Sequence, residues 1–301
     1  MGLPWEGVFP AVTTKFRSDE SIDGAAIEKH ISFQIDSGVH GLVVLGSLGE
    51  QGTLTPDEKL QIIRLAAGVS RGRAPVIASV AETTTAGACA FVHQAAAAGA
   101  DGFMVLPPMQ YFSDSRETLQ YYRRVARASD RPIMIYNNPV AYRVDLTPPL
   151  LAELADEPKF QAIKESSDDV RRITDIKNLL GDRYRIFSGV DDLALESLIL
   201  GASGWVAGLV CAFPRETVAI YSLVKRGRIA EALQLYRWFT PLLHLDTDVK
   251  FIHYIKLAET LAGVGTETMR APRLPLAGEE RERVTAIILH ALKTRPPLPE
   301  L

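Results

Sequence analysis

Eight short, apolar, β-branched runs recur along this 301-residue chain and alternate with segments of helical periodicity. The runs occupy residues 7–13, 41–46, 74–80, 101–107, 131–137, 160–166, 184–190 and 204–210. They are almost continuously apolar, which is typical of parallel strands covered by helices on both faces. Their starts are separated by roughly 20 to 34 residues, the length of one strand–helix unit. The chain is therefore predicted to form a (β/α)8 TIM barrel that closes near residue 210.

The segments between the runs are predicted to be helices, at residues 22–37, 56–69, 85–98, 116–128, 148–155, 168–180 and 193–200. Thr55 and Ser167 are typical N-cap residues for two of them. Beyond residue 210 the pattern is helical only, at residues 215–226, 229–244, 249–262 and 279–292. We expect residues 1–226 to form the barrel domain, which would carry any catalytic site. Residues 227–301 are expected to form a helical region that acts as a stabilising cap or a subunit contact.

Charge and cysteine content exclude several classes of protein. Lys and Arg number 33 against 36 Asp and Glu, a net charge of −3, so no general attraction to nucleic acid or to an anionic membrane is expected. No stretch of about 18 apolar residues suggests a membrane span. Cys89 and Cys211 lie in apolar contexts without CxxC spacing, which argues against disulfides and zinc knuckles. We expect a soluble protein of the cytoplasm.

Lys164 is the most informative polar position, because reactive groups in such barrels lie at the C-terminal ends of the strands. It ends the apolar run FQAIK, and side-chain alternation places it inside the barrel mouth. Burial lowers the pKa of an unpaired lysine and leaves the neutral amine that a Schiff base requires. The alternatives are an ion pair with Glu50, Glu165 or the aspartates at 168–169, or a phosphate clamp.

Two further strand ends offer groups for proton transfer and anion binding. Tyr136 ends the preceding run, so its phenol can reach the same mouth and exchange protons during imine formation. Ser47 lies in the glycine-bracketed turn GSLGE, whose backbone N–H groups can cradle a carboxylate. The alternatives are a buried tyrosine with a satisfied hydroxyl and an ordinary strand-to-helix turn.

Other chemistries receive less support from the sequence. Glu50 and Glu165 both follow strands, as a glycosidase pair would, but the mouth lacks the tryptophans typical of a sugar groove. The six histidines lie away from the strand ends and lack HxH or HxxxH spacing, so no metal is expected. The chain also lacks GxGxxG and P-loop motifs, and we expect no cofactor.

The segments GVFPAVTT, GSLGE, YNNP, IKESS and SGVDD, in this order, resemble the dihydrodipicolinate synthase and N-acetylneuraminate lyase family. The resemblance extends over nearly the whole chain. It implies that Lys164 forms the Schiff base and that Tyr136 and Ser47 form a proton relay. It also implies a homotetramer and a small 2-oxo acid or cyclic imine as substrate. The residues predicted to contact the substrate are Gly46, Leu48, Gly49, Asn138, Tyr142 and Val206.

The sequence departs from the synthase pattern at three places. The synthase turn usually reads GTTGE, whereas Leu48 replaces the second hydroxyl here. Ala141 occupies the place of the arginine that holds a second carboxylate in the synthase. The relay tyrosine expected after the fourth strand is replaced by Met109 or Gln110, and Tyr111 comes one or two positions late. Lysine biosynthesis is therefore not expected.

The segments YNNPVAYRVDLTP and KESSDDVRRITDI are most similar to a branch that contains 1-pyrroline-4-hydroxy-2-carboxylate deaminase. That resemblance implies release of ammonia and 2-oxoglutarate semialdehyde from a cyclic imine with one carboxylate. A 2-keto-3-deoxy sugar-acid dehydratase or retro-aldolase is the main alternative. The synthase itself and a non-catalytic ligand-binding barrel remain less favoured alternatives.

Overall fold

A computed structural model describes residues 5–108 and 110–300 of the chain, so Met109, considered above for the relay position, lies outside it. The strands are β1 (Gly7–Pro10), β2 (Leu42–Val44), β3 (Val76–Val80), β4 (Gly102–Val105), β5 (Ile133–Asn137), β6 (Phe160–Glu165), β7 (Arg185–Ser188) and β8 (Gly204–Ala207). They pair in parallel in the order β1-β8-β7-β6-β5-β4-β3-β2. A parallel bridge between Ala11 and Val43 joins the two remaining edges. The predicted TIM barrel is confirmed.

Helices follow every strand, and beyond the last strand the described chain contains helices and loops only. They are α1 (Gly24–Asp36), α2 (Pro56–Ser70), α3 (Thr85–Ala97), α4 (Ser115–Ala128), α5 (Pro139–Tyr142), α6 (Pro148–Glu153), α7 (Arg171–Leu180), α8 (Ala194–Ile199), α9 (Pro214–Lys225), α10 (Ile229–Leu243), α11 (Phe251–Leu261) and α12 (Gly278–Lys293). Short 3-10 turns cover Gln51–Thr53, Asp191–Leu193, Leu209–Cys211 and His244–Asp246. All predicted helices are present, with ends shifted by a few residues.

The largest correction concerns the helix predicted at 168–180. It begins only at Arg171, and its N-cap is Val170, so the prediction that Ser167 caps it is wrong. Asp168 has a φ of 60°, a left-handed conformation that is incompatible with a helical first turn. The chain therefore completes a tight turn after β6 before the helix starts.

The other predicted cap is confirmed, and one helix is new. Thr55 accepts a hydrogen bond from the Glu58 N–H, and the Glu58 carboxylate accepts one from the Thr55 N–H, which together form a capping box. The four-residue helix α5 was not predicted. Its N-cap, Asn138, accepts a hydrogen bond from the Ala141 N–H, so an asparagine in the YNNP segment starts it.

The barrel interior is filled by apolar side chains that support the polar mouth. They include Phe9, Val43, Ile77, Met104, Met134, Ala162, Phe187 and Val206. Because side chains alternate along a strand, Tyr136 points the same way as Met134, and Lys164 points the same way as Ala162. Both polar residues end their strands, so they lie above the apolar layer at the open end of the barrel.

The C-terminal helices are joined to the strand-end loops by two ion pairs with almost no exposed surface. Lys256 Nζ lies 2.5 Å from Glu50 Oε1, and Lys15 Nζ lies 2.5 Å from Glu259 Oε2. Both Lys256 and Glu259 belong to α11. These pairs connect the C-terminal region to the barrel, while the stabilising role of residues 227–301 and a domain boundary at residue 226 stay predictions.

Replacing Lys256 with methionine should lower the free energy of unfolding by about 3–5 kcal/mol, because it leaves the Glu50 carboxylate buried without its ammonium partner. Denaturant unfolding of the variant and the wild type measures the difference. The double variant Lys256→Met/Glu50→Gln is the control and should recover most of the loss. A single variant within roughly 1 kcal/mol of the wild type would show that the pair contributes no more than a surface pair.

Within residues 5–108 and 110–300, no helix combines the length and the apolar character needed to cross a membrane. Cys89 and Cys211 are both free thiols, half-buried and buried respectively.

Candidate active site

Lys164 and Tyr136 occupy matching positions on neighbouring strands at the barrel mouth. The parallel register of β5 and β6 places Tyr136 opposite Lys164, and Lys164 Nζ lies 4.3 Å from the centroid of the Tyr136 ring. Their exposed fractions are only 8% and 6%. The structure thus brings together the two residues that were predicted to share the mouth.

The ion-pair alternative for Lys164 is not supported by its surroundings. Glu50 and Asp169 pair with other cations, and Glu165 accepts hydrogen bonds from a side-chain amide and a backbone N–H. Asp168 is exposed. Among the described residues, no carboxylate forms an ion pair with Lys164. Burial is the largest influence on this amine and lowers its pKa, which favours the neutral, nucleophilic form.

Gly189, which follows β7, leaves the space that the Lys164 side chain occupies. A Cβ at this position would lie 2.6 Å from Lys164 Cε and 2.0 Å from Ser166 Oγ, well inside van der Waals contact. The glycine of the SGVDD segment is therefore needed for the lysine to extend into the mouth.

Tyr142 lies between the two groups predicted to exchange protons. Its hydroxyl is 2.6 Å from Ser47 Oγ, and its ring packs edge-to-face on Tyr136 with centroids 5.6 Å apart. Burial raises the pKa of both phenols, so both are protonated at neutral pH. Tyr142 was predicted only to contact substrate, whereas the structure also places it against both Tyr136 and Ser47.

The two asparagines of YNNP position these phenols. Asn138 starts α5, which ends at Tyr142, and its side-chain amide donates to the Tyr136 hydroxyl at 3.1 Å. Asn137 is fully buried, and its amide holds the loop after α5 against β6. One segment therefore fixes both rings relative to Lys164.

The GSLGE turn presents backbone donors at the same mouth. In the described part of the chain, the N–H groups of Ser47 and Leu48 donate to no protein acceptor, so they are available to a carboxylate. Gly49 faces the other way, and its carbonyl accepts from the Thr14 hydroxyl at 2.6 Å. The predicted substrate contact of Gly49 is therefore not supported, because it packs against the loop after β1.

A cavity of about 450 Å³ joins these groups. The predicted site residues in its lining are Gly46, Ser47, Leu48, Tyr136, Asn138, Tyr142, Lys164 and Val206. Its volume is that of a pocket for a small organic molecule. A buried amine, two phenols and a pair of N–H donors in one such cavity are suited to imine formation with a small 2-oxo acid.

Comparison with known proteins identifies the family of this chain. Residues 4–291 match the model of the Dihydrodipicolinate synthetase family. The chain belongs to this family. A 4-hydroxy-tetrahydrodipicolinate synthase of Methanothrix thermoacetophila is 30% identical over 288 residues, 94% of this chain and 96% of that protein. Members of the family are lyases that act through a lysine Schiff base, and this protein is such an enzyme.

Solved structures agree with that assignment. The 4-hydroxy-tetrahydrodipicolinate synthase of Methylacidiphilum fumariolicum SolV superposes with a TM-score of 0.92 at 26% identity, over 96% of this chain and 97% of that one. YagE, a prophage protein of the same family from E. coli K12 solved with pyruvate, gives a TM-score of 0.90 at 26% identity, over 96% and 99%. The fold thus extends over nearly the full length of each of these relatives.

Six described residues of the C-terminal region also line the cavity, although that region was predicted to be only a cap or a subunit contact. Three of them have ionisable side chains: Asp246, His253 and Arg273. None of them directly follows a strand. A search of the sequence for polar residues at strand ends therefore does not find them. Arg273 Nη1 lies 3.5 Å from Glu50 Oε2, which partly neutralises its charge.

His30, Cys211 and Glu259 form a separate buried group whose ligand atoms lie within 4.8 Å of one another, close enough to hold a metal ion. Lys15 already provides a cation there, 2.5 Å from Glu259. Burial and the Lys15 charge lower the pKa of His30 to about 4. The donor set therefore fits a buried ion pair better than a metal site, since an ammonium occupies the place of the cation.

Proposed function

We propose that the protein eliminates water from a single 2-oxo acid imine held on Lys164, and that its substrate is 1-pyrroline-4-hydroxy-2-carboxylate. The main observation behind this proposal is which residues form the cavity wall beside Lys164 and Tyr136. Ala141 and Leu48 line it at the positions where a synthase needs an arginine and a second hydroxyl. The site therefore offers one place for a carboxylate, at the N–H groups of Ser47 and Leu48.

The chemistry follows from the arrangement of these groups. Lys164 attacks C2 of the cyclic imine, and the bond between C2 and the ring nitrogen then breaks as that nitrogen takes a proton and becomes a primary amine on C5. The iminium that remains between Lys164 and C2 acidifies the C3 protons. Loss of a C3 proton and of the 4-hydroxyl as water leaves an unsaturated iminium. Isomerisation and hydrolysis then release ammonia and 2-oxoglutarate semialdehyde. Tyr136, Tyr142 and Ser47 supply the proton transfers, because both the nitrogen and the carbinol oxygen change protonation state during imine exchange.

Several relatives are named 4-hydroxy-tetrahydrodipicolinate synthase. Condensation of two substrates is therefore the reaction that an experiment must exclude for this protein. A synthase must hold a second substrate and its carboxylate. Among the described residues that line the cavity, Arg273 is the guanidinium that would have to hold this second carboxylate. It lies beside the Glu50 carboxylate, which already neutralises part of its charge. A 2-keto-3-deoxy sugar-acid dehydratase is the second candidate, since Gln51, Asn138 and His253 line the cavity and can bind additional hydroxyl groups.

Incubation with 1-pyrroline-4-hydroxy-2-carboxylate should release ammonia and 2-oxoglutarate semialdehyde in equal amounts, measured by coupled dehydrogenase assays. Pyruvate plus aspartate semialdehyde should give no detectable condensation product. Lys164→Ala is the control for non-enzymatic breakdown of the imine. Efficient condensation would reject the proposal in favour of a synthase. Semialdehyde formed only from a 2-keto-3-deoxypentonate, without ammonia, would assign the dehydratase instead.

The homotetramer and the cytoplasmic location implied by the resemblance remain part of this proposal. We also propose that the protein needs no cofactor or metal and that it binds neither nucleic acid nor a membrane. Size measurement in solution tests the tetramer, and activity of chelator-treated, dialysed enzyme tests the absence of a metal or dissociable cofactor.

A further inference from the structure

Asp246 places a carboxyl group in the same cavity as Lys164. It ends the short turn His244–Asp246, which connects α10 to α11 in the C-terminal region. Its side chain rests directly on the backbone after β8: a Cβ added to Gly208 would lie 2.2 Å from Asp246 Oδ1. The carboxyl group therefore reaches the barrel mouth only because residue 208 is glycine.

The carboxyl group of Asp246 is available for chemistry. In the described structure it accepts no hydrogen bond from a protein donor, whereas its neighbour Asp191 accepts from Trp205 Nε1 at 2.8 Å and from the Leu209 N–H at 2.8 Å. Asp191 is thus a structural carboxylate that fixes the loop after β8. Asp246 is the acidic side chain of the cavity lining that is left to face a ligand.

The charges around Asp246 favour its protonated form in the resting enzyme. Burial and the neighbouring Asp191 raise the pKa of Asp246 well above its ordinary value, Asp192 adds to the rise, and Lys164 opposes it. The charge of Asp246 in turn contributes to the raised pKa of Tyr136, on β5. Once Lys164 becomes a permanently charged iminium, its attraction for a carboxylate increases. Asp246 therefore becomes a stronger acid at the stage when a leaving group needs a proton.

We propose that Asp246 is a catalytic residue that protonates the departing 4-hydroxyl during elimination, an inference that rests on the proposed function. A C3 proton passes to the tyrosine–serine relay, and its electron pair forms the enamine double bond between C2 and C3. That pair then forms the C3–C4 double bond as the C4–O bond breaks. The hydroxyl oxygen takes the Asp246 proton and leaves as water. Asp246 remains as a carboxylate beside the iminium and recovers its proton from solvent.

A substrate whose leaving group needs no proton separates this role from a structural one. With 1-pyrroline-4-hydroxy-2-carboxylate, Asp246→Asn should lower kcat by about 10²–10⁴-fold. With the 4-fluoro analogue, fluoride release should fall by less than about tenfold, because fluoride departs without protonation. Asp248→Asn, an exposed aspartate two residues away, is the matched control and should leave both rates unchanged. Borohydride trapping of pyruvate by Asp246→Asn verifies that the Lys164 site is intact.

Equal losses with the hydroxyl and fluoro substrates, or no loss with either, would overturn the assignment of Asp246. If the wild type traps pyruvate but does not act on the pyrroline, the proposed substrate is wrong. The comparison then uses a 2-keto-3-deoxypentonate and its 4-fluoro counterpart, and the ratio of the two losses still decides the role of Asp246. A wild type that eliminates water from neither hydroxylated compound would overturn both proposals.

Discussion

Replacing Lys164 with alanine is expected to abolish turnover, with kcat/KM falling by at least about 10⁴-fold. The imine that activates C3 cannot form without the amine, and the remaining donors only bind and orient substrate. Product release from the imine substrate, followed at enzyme concentrations high enough to detect the residual rate, measures the loss. The fold should be intact, since Lys164 forms no ion pair in the described structure that alanine would leave broken.

An exposed lysine serves as the matched control for this variant. Lys293 lies in the last turn of α12, outside the cavity lining, and Lys293→Ala should keep wild-type kinetics. A Lys164→Ala enzyme that retains a substantial fraction of wild-type activity would show that another group carries the chemistry. Circular dichroism of both variants separates loss of chemistry from loss of structure.

Tyr136→Phe is the second substitution with a large expected effect. It should lower kcat by about 10²–10⁴-fold, the usual contribution of a positioned acid–base group. KM should change little, because the ring that packs on Tyr142 and lies beside Lys164 is kept. Steady-state kinetics on the imine substrate measure both parameters. An unchanged kcat with a much higher KM would indicate a binding role for the phenol.

The relay also predicts the order of effects among its other members. Ser47→Ala should lower kcat more mildly than Tyr136→Phe, since a water molecule can replace the serine hydroxyl beside Tyr142. Tyr142→Phe removes the hydroxyl that lies 2.6 Å from Ser47 and should act in the same direction as Tyr136→Phe. A Tyr142→Phe enzyme with wild-type kcat would show that protons do not pass through Tyr142.

The barrel and the pairing of Lys164 with Tyr136 could be predicted from the sequence because both follow from local patterns. Apolar runs at regular spacing specify parallel strands, and residues that end neighbouring strands come together by register. The contacts of Tyr142 with Tyr136 and Ser47 could not be predicted in this way. They depend on the short helix α5, which follows its N-cap Asn138 and ends at Tyr142.

Two other features depend on the folded chain as a whole. The left-handed backbone at Asp168 delays α7, and no residue type at that position demanded it, since aspartate tolerates helix starts as well as tight turns. Asp246 lies 82 residues after Lys164 in the sequence and reaches the cavity through the packing of the α10–α11 connection on Gly208. Sequence spacing carries no information about such a contact.

Reductive trapping tests whether Lys164 is the residue that forms the Schiff base. The enzyme is incubated with pyruvate, reduced with borohydride, digested and analysed by mass spectrometry. We expect one reduced pyruvyl adduct per chain, on the peptide that contains Lys164, and none in the Lys164→Ala variant. An adduct on a different lysine, or its absence from the wild type, would contradict the assignment of Lys164 as the Schiff-base residue.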